Sequence, residues 1–308
     1  MGLALSTSWN AFHCRDGKKI VAQIQELGFK ELELSFNLTP ELLKSIASGL
    51  PKAKLKVSSL HNYCPIPRGL PLEFALPDCY SLASLDQTQR QRALKYTKIS
   101  IDTANKFGAG VLVLHCGRVE MKDITRDLIA LYAKGAQNSP RFKQLKEDYQ
   151  RARRRLAGPF LANTLRSLEE LNRYARKHGV SLGVETRFYY REIPDFKEIG
   201  IILDRFKKSN IYYWHDSGHA QVLENLGFIR RHEDFLAAYS KDMLGIHLHD
   251  VKGALDHLAP GQGGIDFRMF KRYLKKNTLK VIEAHYPASS LAVKKGKQYL
   301  ENVFHAVL

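Results

Sequence analysis

Short apolar runs alternate with amphipathic segments from one end of the chain to the other. The runs Leu3–Ser8, Glu31–Phe36, Lys56–His61, Gly110–Cys116, Ser181–Thr186, Ile211–Asp216, Leu244–His249 and Lys280–His285 carry β-branched and aromatic residues. They read as strands. Between them, the 3.6-residue pattern predicts a helix over Asp16–Leu27, closed by Gly28, and another from Thr39-Pro40 through Ile46. Further helices are predicted over Thr88–Phe107 and Leu291–Val307. Strand followed by helix, eight times over, implies parallel strands joined by helical crossovers. The fold class expected is α/β, a single (β/α)8 TIM barrel spanning residues 1–308 as one domain. A doubly wound open sheet is the other arrangement, and the count of eight argues against it.

Two segments break the rhythm. The loop after the third strand holds Pro65, Pro67, Gly69, Pro71 and Pro77, which suits a functional loop at the barrel mouth. A helical insertion separates the fourth and fifth strands, and its part over 118–160 is basic, with Arg151, Arg153, Arg154 and Arg155 in one run. Leu165, Leu168, Leu171 and Ala175 follow at helical spacing, and Gly158-Pro159 is expected to separate two helices. The arginines read as a solvated helix face, or else as a lid, a subunit contact or a phosphate-binding surface.

Composition narrows the class. Hydrophobic content of 44% and charged content of 26% are those of a soluble globular chain. No apolar run reaches the ~18 residues a membrane span needs. The formal charge of +17 favours an anionic partner, such as a sugar phosphate or nucleic acid, or else a solvated basic surface. Four cysteines without a paired motif, and a first strand with no basic leader before it, lead us to expect a cytoplasmic setting.

The candidate chemistry centres on Tyr213-Trp214-His215-Asp216-Ser217-Gly218-His219, read as a buried strand that Gly218 breaks. Asp216 and His219 offer a hard oxygen and an imidazole at one lip, a weak signal alone. Other strand ends add to it: His61, His115, Glu185, then His247 with His249, and Glu283 with His285. His257 follows in the loop after the seventh strand. Barrel chemistry sits at the carboxyl ends of the strands. Buried charges and imidazoles are costly there unless paired or bound to metal, so six such ends in succession point to a divalent metal.

Val184-Glu185-Thr186, His215-Asp216-Ser217-Gly218-His219, His247-Leu248-His249-Asp250, Asp256-His257 with Gly261-x-Gly263, and Ile282-Glu283 together resemble the xylose isomerase-like barrel superfamily. That superfamily holds sugar and sugar-phosphate isomerases and epimerases, inosose dehydratases and endonuclease IV. The resemblance implies that Glu185, Asp216, His247 and Glu283 hold one divalent metal (Mn, Zn, Co or Mg), with His247 preferred to His249 on the His-x-x-Asp register. It implies an isomerase or epimerase working on a sugar or sugar phosphate, by proton transfer through a metal-stabilised enediolate. Glu185 and Glu283 would be the catalytic carboxylates, and His219 would bind substrate or assist proton transfer. Arg68, Arg118, Arg187 and Lys252, near strand ends, are candidates for holding a phosphate or hydroxyls.

An endonuclease IV-like phosphodiesterase on abasic DNA is the alternative. His61, His115, His219 and His257 fall where its extra metal ligands would be, with His249 a further possible ligand. One departure is that Leu255 stands where that enzyme has an aspartate, and Asp256 is out of register. A polyol dehydratase would share the first proton abstraction, whereas a barrel that only binds would leave gaps among the ligands. The expected partner is a small-molecule sugar, with nucleic acid the alternative, no membrane, and a homo-oligomer compatible with either.

Overall fold

The computed structural model describes residues 2–305. Eight parallel strands close a barrel: β1 (Leu3–Ser6), β2 (Glu31–Leu34), β3 (Lys56–His61), β4 (Val111–Leu114), β5 (Ser181–Glu185), β6 (Ile211–Asp216), β7 (Met243–Leu248) and β10 (Leu279–Ile282). Their order around the barrel is β1-β10-β7-β6-β5-β4-β3-β2. β8 (Asp250–Lys252) and β9 (Leu255–Leu258) form a separate antiparallel hairpin over the mouth. The helices are α1 (Gly17–Glu26), α2 (Pro40–Ala53), α3 (Gln87–Lys106), α4 (Thr125–Ala133), α5 (Pro140–Lys177), α6 (Phe196–Arg205), α7 (Ser217–Asn225), α8 (Glu233–Tyr239) and α9 (Ser290–His305). The expected last turn of α9, through Val307, lies outside the described residues, as do both ends of the 1–308 domain. Among the described residues, no helix is long and apolar enough to cross a membrane.

Strand alternation puts every second side chain inside the barrel. The inward set begins apolar: Ala4, Val111, Val113, Trp214, Leu279 and Val281 pack as a small core of their own. Gly245 leaves room for the Trp214 ring, which a Cβ at that position would strike. Two residues further on, each strand turns polar. Val113 gives way to His115, Trp214 to Asp216, Gly245 to His247 and Val281 to Glu283. The barrel therefore has an apolar floor and a polar, titratable top layer. A larger core fills the space between strands and helices, with Ile20 and Ile24 of α1 and Leu42 and Ile46 of α2 among its members.

Two local expectations are overturned. Gly158-Pro159 does not divide the insertion: α5 runs unbroken through Pro159. Both residues face solvent, so the carbonyl that proline leaves unpaired is open to water, while Tyr149, Arg153, Ala157, Phe160 and Leu168 form one buried stripe that holds both halves in line. Nor does Gly218 break the sixth strand. It lies in the first turn of α7, where a Cβ would collide with the His249 ring, and β6 ends because Asp216 caps α7 by accepting from His219 N at 2.7 Å.

Of the basic run, Arg151, Arg154 and Arg155 are exposed, while Arg153 is buried. It binds Glu198 through both terminal nitrogens (3.0 and 2.6 Å) and Asp195 at 2.9 Å, tying the insertion to α6.

Candidate metal centre

Glu185, Asp216, His247 and Glu283 meet at the top of the barrel, all buried, each offering one ligand atom within 4.8 Å of the others. The register explains the convergence, since Asp216 pairs with His247 across β6 and β7, and Val281, two before Glu283, pairs with His247 from the other side. His247 Nδ1 stands 2.7 Å from Glu185 Oε1, 3.0 Å from Glu283 Oε2 and 3.7 Å from Asp216 Oδ2. Three buried carboxylates around one imidazole nitrogen leave an excess of negative charge that burial penalises heavily. That donor set fits a divalent cation. His115 Nε2 points the same way: it is buried 2.7 Å from Glu185 Oε2, yet it is not aligned for a hydrogen bond.

Other groups hold these donors from behind. His247 Nε2 faces the buried Glu33 carboxylate at 3.2 Å, and Glu33 accepts from Ser59 Oγ at 2.7 Å. The Nε2 proton thus sits on the Glu33 side, which leaves Nδ1 for the cluster. His115 Nδ1 meets Asp78 at 3.0 Å in the same manner. His249 Nδ1 accepts from His257 N at 2.9 Å, so its Nε2–H donates to Asp216 at 2.9 Å. His249 therefore orients Asp216 rather than joining the four. Glu33, Asp78 and Glu192 were not among the residues expected from the sequence.

Two further donor groups flank the four. His61, His115 and Glu185 form one, and His219, His249 and His257 the other. His61 Nδ1 contacts the Asn62 carbonyl at 2.9 Å, which directs Nε2 toward Glu185 at 3.6 Å. His219 Nδ1 donates to the Thr186 carbonyl at 2.9 Å, leaving Nε2 free. Burial lowers its pKa to about 4, so the ring is neutral at neutral pH. Asp256, expected to be out of register, does reach this group. Its Oδ2 is 3.0 Å from His257 Nδ1 and 3.9 Å from His219 Nε2. His257 adopts φ 56°, a conformation rare outside glycine, and both it and Asp256 face the cavity. Burial opposes charge on His257, but Asp256 outweighs it and raises the group to about 9. Burial would also raise the Glu185 carboxyl, and the charge of His115 holds it well below the ordinary range.

The candidate phosphate ligands separate. Arg187 is buried against Glu185 and Glu192, each at 3.2 Å, and is not free for a ligand. Arg118 lines the cavity, while Arg68 and Lys252 are exposed and do not. The cavity measures about 590 Å³ and runs from Glu185 and Glu283 to the rim formed by Phe74, Leu76 and Arg126.

A family model described as a xylose isomerase-like TIM barrel matches residues 21–303. An uncharacterized protein of Methanocaldococcus jannaschii is 29% identical over 210 residues, which is 66% of this chain and 65% of that protein, just under two thirds of its length. Among solved structures, a 3-keto-D-glucoside 4-epimerase from E. coli superposes with a TM-score of 0.68 at 13% identity, over 98% of this chain and 99% of that one. A D-tagatose 3-epimerase-like protein does so at 0.66 and 17%, over 100% and 98%. At such identities the likeness speaks to the fold.

Proposed function

The chain belongs to the xylose isomerase-like TIM barrel family, and from that premise we propose that it is a divalent-metal-dependent isomerase or epimerase of a sugar or sugar phosphate. The observation that carries this reading is the buried set of Glu185, Asp216, His247 and Glu283 beneath a cavity of small-molecule size. A divalent cation there supplies Lewis acidity and a template for adjacent substrate oxygens. Glu185 and Glu283 approach from opposite sides of His247, so one can take a proton from a substrate carbon while the other returns it. Neutral His219 presents Nε2 to a substrate hydroxyl. Phe188, packed on His219 at 5.0 Å between ring centroids, keeps water from that flank.

Deuterium uptake tests this directly. The protein, loaded in turn with Mn, Co, Mg or Zn, is incubated in heavy water with a panel of ketoses and aldoses and their phosphates. Exchange at the carbon next to the carbonyl is expected, and Glu185→Gln and Glu283→Gln should each slow it by about 10²–10⁴-fold. No exchange across the whole panel, or near-normal exchange in Glu185→Gln, overturns the reading.

One observation favours a second reading, an endonuclease IV-like phosphodiesterase. The His61–His115–Glu185 and His219–His249–His257 groups abut the main four, and Asp256 reaches the second of them. Two or three metal atoms per chain, with nicking of an abasic duplex, would select it. A single atom per chain favours the isomerase.

A further inference from the structure

The cavity collects four arginines, and their partners divide them into two kinds. Arg187 is committed to Glu185, Glu192 and Asp78, and Arg191 Nε faces Asp123 at 3.6 Å. Arg118 and Arg126 have no carboxylate partner among the described residues. Arg118 donates to the backbone carbonyl of Asp78 at 3.0 Å, and Arg126 lies over the Tyr189 ring, 5.7 Å from its centroid. The carboxylates of the cavity are already matched: Asp123 by Arg191, Asp78 and Glu192 by Arg187, Asp256 by His257, and Glu185 and Glu283 in the metal cluster. Two cations are left over.

Both stand on fixed supports. Residues 117–119 run antiparallel to 191–193, with Val119 N donating to Arg191 O at 2.7 Å and Ile193 N to Gly117 O at 2.9 Å. This ladder sets Arg118 beside Asp78, which contacts His115 of the metal site. Tyr189, under Arg126, packs at a tilt against Phe188, and Phe188 against His219. Each arginine is thus linked by a short chain of contacts to a metal-site histidine.

We propose that Arg118 and Arg126 form the subsite for a phosphate monoester carried by the substrate, so that the cavity takes a sugar phosphate rather than a free sugar. A guanidinium fork matches phosphate oxygens in pairs, and an arginine without a competing carboxylate is ready to do so. The +17 charge of the chain adds attraction at longer range. A cavity of about 590 Å³ encloses a small ligand, whereas a duplex could only lie across its mouth. The inference rests on the cavity being the substrate site.

Calorimetric titration of the metal-loaded protein with inorganic phosphate, fructose 6-phosphate and fructose tests it. Fructose 6-phosphate should bind at least about tenfold more tightly than fructose. Arg118→Ala and Arg126→Ala should each weaken both phosphate ligands by about tenfold and leave fructose unchanged, with Lys252→Ala as a silent control. Arg126 is exposed, so its variant will fold even if Arg118→Ala does not. Asp216→Asn should keep the arginine-dependent phosphate binding while losing proton exchange. In the unsubstituted protein, arginine-dependent binding of fructose 6-phosphate with no exchange of any sugar in the panel sinks the isomerase reading alone. Equal binding of the free and phosphorylated sugar, or unchanged phosphate affinity in the double variant, overturns the subsite. An abasic duplex that outcompetes fructose 6-phosphate through the same two arginines also overturns it, in favour of a phosphodiester.

Discussion

Two buried charge clusters lie on either side of the loop after β5, and they are built on opposite plans. Around Arg153, one guanidinium serves Glu198, Asp195 and the Glu192 carbonyl, and Asp195 and Glu198 also satisfy each other's backbone N–H groups. One cation serves two carboxylates, every carboxylate oxygen has an N–H donor, and the cluster fastens α5 to α6. Around His247, three carboxylates crowd one imidazole nitrogen, and His115 Nε2 sits near Glu185 without hydrogen-bond alignment. Arg153 and Glu198 are buried much as the four around His247 are, while Asp195 reaches solvent. What differs is the supply of partners. A cluster whose oxygens each find a donor holds the fold together, while one whose carboxylates converge on a single shared nitrogen invites a cation.

Breaking each cluster at one residue should therefore give different signatures. Arg153→Ala strands the buried Glu198 carboxylate and should cost about 3–5 kcal/mol of stability in chemical denaturation, with metal content per chain unchanged. A cost below about 1 kcal/mol would mean that the cluster is hydrated and not a fastening at all. Glu33→Gln touches the other cluster from behind, through His247 Nε2. It should lower metal affinity or activity by about 10–100-fold with little change in the unfolding midpoint of the metal-free protein. The opposite result, lost stability with intact metal uptake, would place the His247 cluster in the same class as that of Arg153.

The difference between the clusters was only partly readable beforehand. Glu185, Asp216, His247 and Glu283 stood out because a two-residue period carries each one inward at a strand tip. Glu33 obeys the same period, alternating with Leu32 and Leu34, but the apolar run continues to Phe36 and hides that the strand ends at Leu34. Asp78 and Glu192 enter from loops, where no period exists to reveal direction. Asp256 is out of register when counted from the loop histidine, and the left-handed turn at His257 that brings it round does not show in a count. Pro159 shows the converse case, a strong local rule overridden by a buried stripe on the far face of the helix.

A third buried network separates charge from mere polarity. Thr186 Oγ1, Tyr213, His215, His232 and Gln221 form a chain with links of 2.7, 2.6, 2.8 and 3.3 Å. Gln221 Oε1 accepts from His232 Nδ1, so His232 Nε2 must accept from His215 Nε2, and His215 Nδ1 from Tyr213. Every proton has one place, and both imidazoles are neutral. A second proton on His232 would set its Nε2–H against the Nε2–H of His215, and burial, opposed by the carboxylates of Asp216 and Glu233, lowers His232 to about 3. Its unfolded value is near 6.5, so between these limits the unfolded chain binds the extra proton. Stability is complete above about pH 6.5 and falls as the pH drops toward 3. His232→Gln removes that proton. Urea unfolding between about pH 4 and 6 should then lose stability less steeply than the parent, by up to about 1.4 kcal/mol per pH unit. Coincident slopes would mean that His232 is already charged in the fold, and the network would then belong with the ion-paired cluster around Arg153 rather than apart from it.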